Sequence, residues 1–137
     1  MLAVLVAVVA LPSSALETRA SPRADVAIRE MVSFHSKGFV YRALKGDSEI
    51  YPFIVIEKLR LGLTEGDETV LVASWRAEDM KGGRVLDDAV EGDDFRDLRW
   101  NGGVLRFTFH RAGRLLTCTV SGVEAGAPAV SCEPTRP

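Results

Sequence analysis

The stretch Leu105–Val120, LRFTFHRAGRLLTCTV, decides how the rest of the chain is read. Leu105, Phe107 and Phe109 alternate with Arg106, Thr108 and His110, the period of two that sends successive side chains to opposite faces of a strand. A hairpin closed at Ala112 and Gly113 sets Phe109 against Leu116, Phe107 against Cys118 and Leu105 against Val120, so both apolar sets face the same way. A four-residue loop from Arg111 to Arg114 keeps that pairing. A loop shorter by one residue would slip the register and turn one strand's apolar set to water.

The same test extends in both directions. Opposing Cys118 with Cys132, the chain's only two cysteines, also places Val120 opposite Val130 across VEAGA. At a position where opposed residues come closest, the two sulfurs can bond, and in an exported protein they would. Two cysteines without C-x-x-C spacing or a nearby histidine make a poor zinc or redox site. The alternative is a pair of buried thiols in a cytoplasmic protein. Upstream, Asn101 and Gly102 in RWNGGV suit a tight hairpin turn, which would set Leu98 against Leu105 and Trp100 beside Gly103. The result is a meander from Arg96 to Cys132. Its inward row is Leu98, Trp100, Leu105, Phe107, Phe109, Leu116, Cys118, Val120, Val130 and Cys132.

The cover expected for that row is a helix. Ser21 followed by Pro22 is a favourable helix start. Ala24, Ile28, Met31 and His35 then fall on one helical stripe, with Ala27 and Phe34 beside it, and Gly38 offers a stop. Strands are expected at Phe39 to Leu44, Phe53 to Leu61, Thr69 to Arg76 and Arg84 to Val90, ahead of those near 96–100, 104–110, 115–121 and 128–133. The fold class is therefore α+β: an N-terminal helix packed on an antiparallel, meander-like sheet, or that sheet curled into a half-barrel around an apolar ligand. Residues 21–137 would form a single domain, with a frayed tail at EPTRP.

Residues 1–20 read differently. MLAVLVAVVAL is too short to span a bilayer. It fits the apolar region of a signal peptide, with Ser13 and Ala15, or Thr18 and Ala20, around a cleavage point, although no Lys or Arg precedes it. The alternatives are a retained apolar stem or a buried N-terminal strand or helix. The signal and the staple together point to an extracytoplasmic location: periplasmic, secreted or attached to the envelope.

With 137 residues, 47% of them hydrophobic, the chain has enough apolar material for one core. Its formal charge of −2, with Lys and Arg scattered among acids, gives no basis for nucleic-acid binding. Contact with a membrane would run only through the N-terminal apolar segment. The chain holds no G-x-S-x-G, H-E-x-x-H, P-loop or G-x-G-x-x-G motif, so no catalytic set and no cofactor are implied. Ser74 and Ser121 have nothing adjacent to activate them. Trp75 is assigned to the core, with a surface role beside Arg76 as the alternative. DDAVEGDDFRD concentrates Asp87, Asp88, Glu91, Asp93, Asp94 and Asp97. An oxygen-rich loop of this kind attracts calcium, so Asp87, Asp88, Glu91, Asp93 and Asp94 are the candidate ligands, against the plainer reading of a solvated turn.

These observations favour an exported, non-catalytic domain held by the Cys118–Cys132 disulfide, acting by binding or by structural assembly with a protein or small-molecule partner of the envelope. A second reading starts from Ala10, Leu11 and Pro12 at the end of the apolar stem, the late cysteine pair and the order of elements. Together these resemble a type IV pilin or pseudopilin. The resemblance implies a subunit whose N-terminus is truncated, since the G-F-T-L-x-E processing motif of those families does not occur in the chain. A third reading is a small hydrolase or isomerase using His35 or His110 as base with an acid from residues 87–97.

Overall fold

A computed structural model of the chain describes residues 26–48, 51–62, 64 and 66–136. The described elements are β1 (Val26–Ser36), β2 (Phe39–Ser48), β3 (Tyr51–Arg60), β4 (Val70–Trp75), a 3-10 turn (Ala77–Asp79), a single helical turn α1 (Arg84–Asp87), β5 (Asp94–Asn101), β6 (Val104–Arg111), β7 (Arg114–Ser121) and β8 (Ala129–Pro134). They build two antiparallel four-stranded sheets, ordered β1-β2-β3-β4 and β5-β6-β7-β8.

The expected α+β class gives way to a nearly all-β architecture: what covers the C-terminal meander is a second sheet. The stretch read as a helix is β1, joined to β2 through Lys37 and Gly38 at φ 52° and 83°. Positive φ at both central residues is what a type I′ hairpin turn requires, and the glycine that suits a helix stop suits this turn equally. Along β1, Val32 and Phe34 pack against the core, while Ile28, Met31 and His35 of the proposed stripe are exposed. Arg84 to Val90, read as a strand, instead begins with α1, which buries Leu86. The half-barrel is also replaced, because the two sheets stack and their facing side chains fill the space between them. Ser21, Pro22, Ala24 and the signal or stem assigned to residues 1–20 lie outside the described residues.

The C-terminal registers follow the alternation argument. Phe109 lies opposite Leu116, Phe107 opposite Cys118 and Leu105 opposite Val120; Cys118 lies opposite Cys132 and Val120 opposite Val130. The β6–β7 turn uses Ala112 and Gly113 at φ 48° and 77°. The disulfide between Cys118 and Cys132 is formed, with a Cα–Cα distance of 4.1 Å, the close approach of a non-hydrogen-bonded antiparallel pair. It fastens the edge strand β8 to β7. All ten residues of the inward row are buried or packed against the core.

The β5–β6 register differs from expectation. Trp100 lies opposite Leu105 and Asn101 opposite Val104, so the turn is centred on Gly102 and Gly103. Between Arg96 and Arg99 the ladder is bulged, with Asp97 at φ 57°. Asp97 and Leu98 together oppose one residue of β6, which reverses the strand's phase. Phe95 thereby joins Leu98 and Trp100 on the inner side and is fully buried, 4.6 Å from the Phe109 ring and 5.7 Å from Phe107.

Across the interface, Tyr41, Ala43, Ile54 and Ile56 meet Phe95, Leu105, Phe107, Phe109 and Val120. The Trp100 ring lies 4.7 Å from Phe34, and its Nε1 donates to the Val32 carbonyl at 3.0 Å, so one side chain both fills the core and occupies the edge of β1. Trp75 is partly buried against the same core, as expected. The connector from β4 to β5 closes the sandwich with Ala77, Met80 and Leu86. It also clasps β8: Lys81 N donates to Pro128 O at 3.0 Å, and Val130 N donates to Lys81 O at 2.7 Å. Gly82 is required there, since a Cβ at its φ of 72° would fall 2.7 Å from Val130 O.

Two outcomes check this account. Replacing both cysteines with alanine, or reducing the bridge, should lower unfolding free energy by about 3 kcal/mol in the chain-entropy model, read from urea melts. Asp97→Gly should be neutral or stabilising by up to about 1 kcal/mol, because glycine accepts positive φ without strain. Asp97→Val should cost about 1–2 kcal/mol; equal stabilities of the two variants would contradict the bulge.

Candidate binding surface

The residues singled out for chemistry do not converge. His35 is exposed at the β1–β2 hairpin, while His110 is half-buried on β6 in the other sheet. His110 lies opposite Asp94, but that carboxylate is engaged elsewhere: Lys45 Nζ lies 3.1 Å from Oδ1 and Arg96 Nε 2.8 Å from Oδ2. Ser74 lies opposite Glu57 and Ser121 opposite Ala129. The acids proposed for calcium are dispersed. Asp87 ends α1, Asp88 and Glu91 are exposed, and Asp93 is buried, accepting from Val90 N at 2.9 Å and Ala112 N at 3.3 Å. Among the described residues no group of three His, Cys, Asp or Glu side chains is placed to hold a metal ion.

Asp93 shows what much of the acidity does. Asp67 and Asp79 likewise accept from the backbone N–H three residues earlier, of Thr64 and Arg76 at 3.0 and 2.9 Å. Each is a turn staple of the kind Asp forms readily.

The first sheet has a second apolar face, turned away from the other sheet, and its centre is buried within the chain: Leu44 and Leu59 are each 4% exposed. Tyr41, Ala43, Ile54 and Ile56 point into the core; by alternation their neighbours point away. In a two-layer sandwich those positions are normally polar. Here they form four cross-strand rows: Gly46 with Phe53, Leu44 with Val55, Arg42 with Glu57, and Val40 with Leu59. Ile28, Met31 and Leu71 extend the face onto the edge strands, and Ile28 and Met31 are 42% and 56% exposed.

At its centre Arg42 Nε donates to Glu57 Oε1. Glu57 is only 3% exposed, flanked along β3 by Val55 and Leu59. Burial pushes its carboxyl above the ordinary glutamate value, with the Arg42 hydrogen bond and charge opposing that shift. At Asp94 burial also acts upward, but the bonds and charges from Arg96 and Lys45 outweigh it and hold the carboxyl below its usual value. Sequence reading missed this face, although FIVIEKL in β3 carried a signal: a nearly unbroken apolar run marks a strand covered on both sides.

The two carboxyls give opposite pH dependences. The raised Glu57 value means its contribution is complete below the unfolded glutamate value and is lost as pH rises through the folded one. The lowered Asp94 value means its contribution is present above the unfolded aspartate value and is lost as pH falls through the folded one. Urea melts between about pH 3 and 7 should therefore show wild type losing stability relative to Glu57→Gln as pH rises, and gaining relative to Asp94→Asn.

Comparison of the chain with family models, curated protein sequences and solved structures finds no match.

Proposed function

We propose that this protein is an exported, disulfide-stapled assembly domain that works without catalysis, pairing with a second copy of itself through the exposed apolar side chains of the edge strand β1. The formed disulfide is compatible with an extracytoplasmic setting. The pilin-like alternative needed a helix laid on the sheet, a place taken by strands, and the hydrolase reading finds His110 opposite an already engaged carboxylate.

The observation that carries the proposal is the exposure of Ile28 and Met31, 42% and 56%, near one another on the outward side of β1. The cross-strand rows behind them add no free surface, since Leu44, Glu57 and Leu59 are 4%, 3% and 4% exposed within the single chain.

Sedimentation equilibrium of the secreted protein should show a concentration-dependent dimer. Met31→Glu should be monomeric with an unchanged circular dichroism spectrum. A protein monomeric throughout, or a Met31→Glu variant that still dimerises, would overturn the proposal.

A further inference from the structure

The second sheet has an outer face of a different kind. Arg99 lies opposite Arg106, and Arg106 opposite Thr119. Both arginines are exposed, and none of the three side chains hydrogen-bonds or ion-pairs with another described residue. Arg29, Arg42 and Arg96 are matched with Asp47, Glu57 and Asp94. Arg60, Arg84 and Arg114 are exposed without an ion-pair partner among the described residues; no arginine lies opposite Arg60 or Arg84, and Arg114 lies opposite Arg111, whose guanidinium donates to the Val85 carbonyl. Like charges directly opposed across a sheet are destabilising, because opposed Cα atoms are only about 4.5–5.5 Å apart.

The bulge at Asp97 strengthens this concentration of charge. Arg96 and Arg99 are separated by an odd number of positions, and a regular strand would send them to opposite faces. The extra residue turns both outward, Arg96 opposite Thr108 and Arg99 opposite Arg106. Of the acids on this strand, Asp94 is paired with Lys45 and Arg96, and Asp97 ion-pairs with no arginine, accepting from the Thr108 hydroxyl at 3.4 Å. Two planar guanidinium forks side by side, with a hydroxyl donor next in the row, match the donor demand of a tetrahedral oxyanion, which arginine binds bidentately.

We propose that Arg99, Arg106 and Thr119 form a binding site for a phosphate or sulfate group. The ligand's charge removes the repulsion between the opposed arginines, so binding and sheet stability are coupled. This site lies on the other sheet from β1 and stands whether or not the protein dimerises.

Calorimetric titration with inorganic phosphate and with inorganic sulfate, at constant ionic strength in chloride, should give saturable one-to-one binding per chain. Affinity should fall at least tenfold in Arg99→Gln and in Arg106→Gln, and remain unchanged in Arg29→Gln, which removes an exposed arginine of the other sheet. Bound phosphate should raise the melting temperature of wild type and not that of Arg106→Gln. Vesicles of phosphatidylcholine with and without phosphatidic acid separate the sources: retention on the acidic vesicles that is lost in both variants identifies a lipid headgroup, and phosphate binding without retention identifies a soluble ester. Absence of saturable binding to either anion, or equal affinity in wild type and both variants, would overturn the site.

Discussion

Each strand of this molecule must keep one set of side chains aimed at the opposite sheet, and most of the structure follows from how that phase is maintained. The ladders β2–β3, β6–β7 and β7–β8 run without interruption. The irregularities fall where β1, β4 and β5 pair, at Arg29, Val72 and Asp97–Leu98, and these are edge strands. An edge strand has a free side on which an extra residue can be accommodated, and the bulge both resets the alternation and roughens an edge that would otherwise template further pairing. The fourth edge, β8, is managed by other means: the disulfide on one side, the Lys81 clasp on the other, and prolines at 128 and 134.

This pattern explains which parts of the fold were readable from the sequence. The β6–β8 ribbon was, because its alternation is unbroken and RAGR fixes the hairpin, so register, inward row and disulfide followed from parity alone. In the first sheet β2, β3 and β4 were readable as strands, whereas β1 was not. With Arg29 bulged, Ile28 and Met31 fall on the same face although three positions apart, and His35 follows four later. A bulged strand thus reproduces helical spacing, and the favourable Ser21–Pro22 start completed the imitation. Phe95 was missed for the same reason in reverse. The phase change at Asp97 has no signature beyond the tolerance of Asp for positive φ, so residues before it appeared to point outward. The outward face of the first sheet was visible only in part, since the apolar run of β3 does not say what lies on its second side.

The outer faces of the two sheets are chemically distinct. The first is apolar around one internally neutralised ion pair; the second is a lattice of arginine and hydroxyl side chains. Because both are built on strands rather than loops, their residues are spaced by the register, and a change at one position leaves the geometry of its neighbours in place.

The bond between Cys118 and Cys132 has a topological consequence as well. It encloses the tight turn of residues 122–127, where Ala127 N donates to Gly122 O at 2.9 Å and Glu124 and Ala125 are exposed. A protease cutting the backbone at the tip would not release the last strand, since the sulfur link carries the covalent continuity that the peptide bond has lost. New termini or a grafted peptide placed at Glu124–Ala125 would thus remain anchored to both β7 and β8.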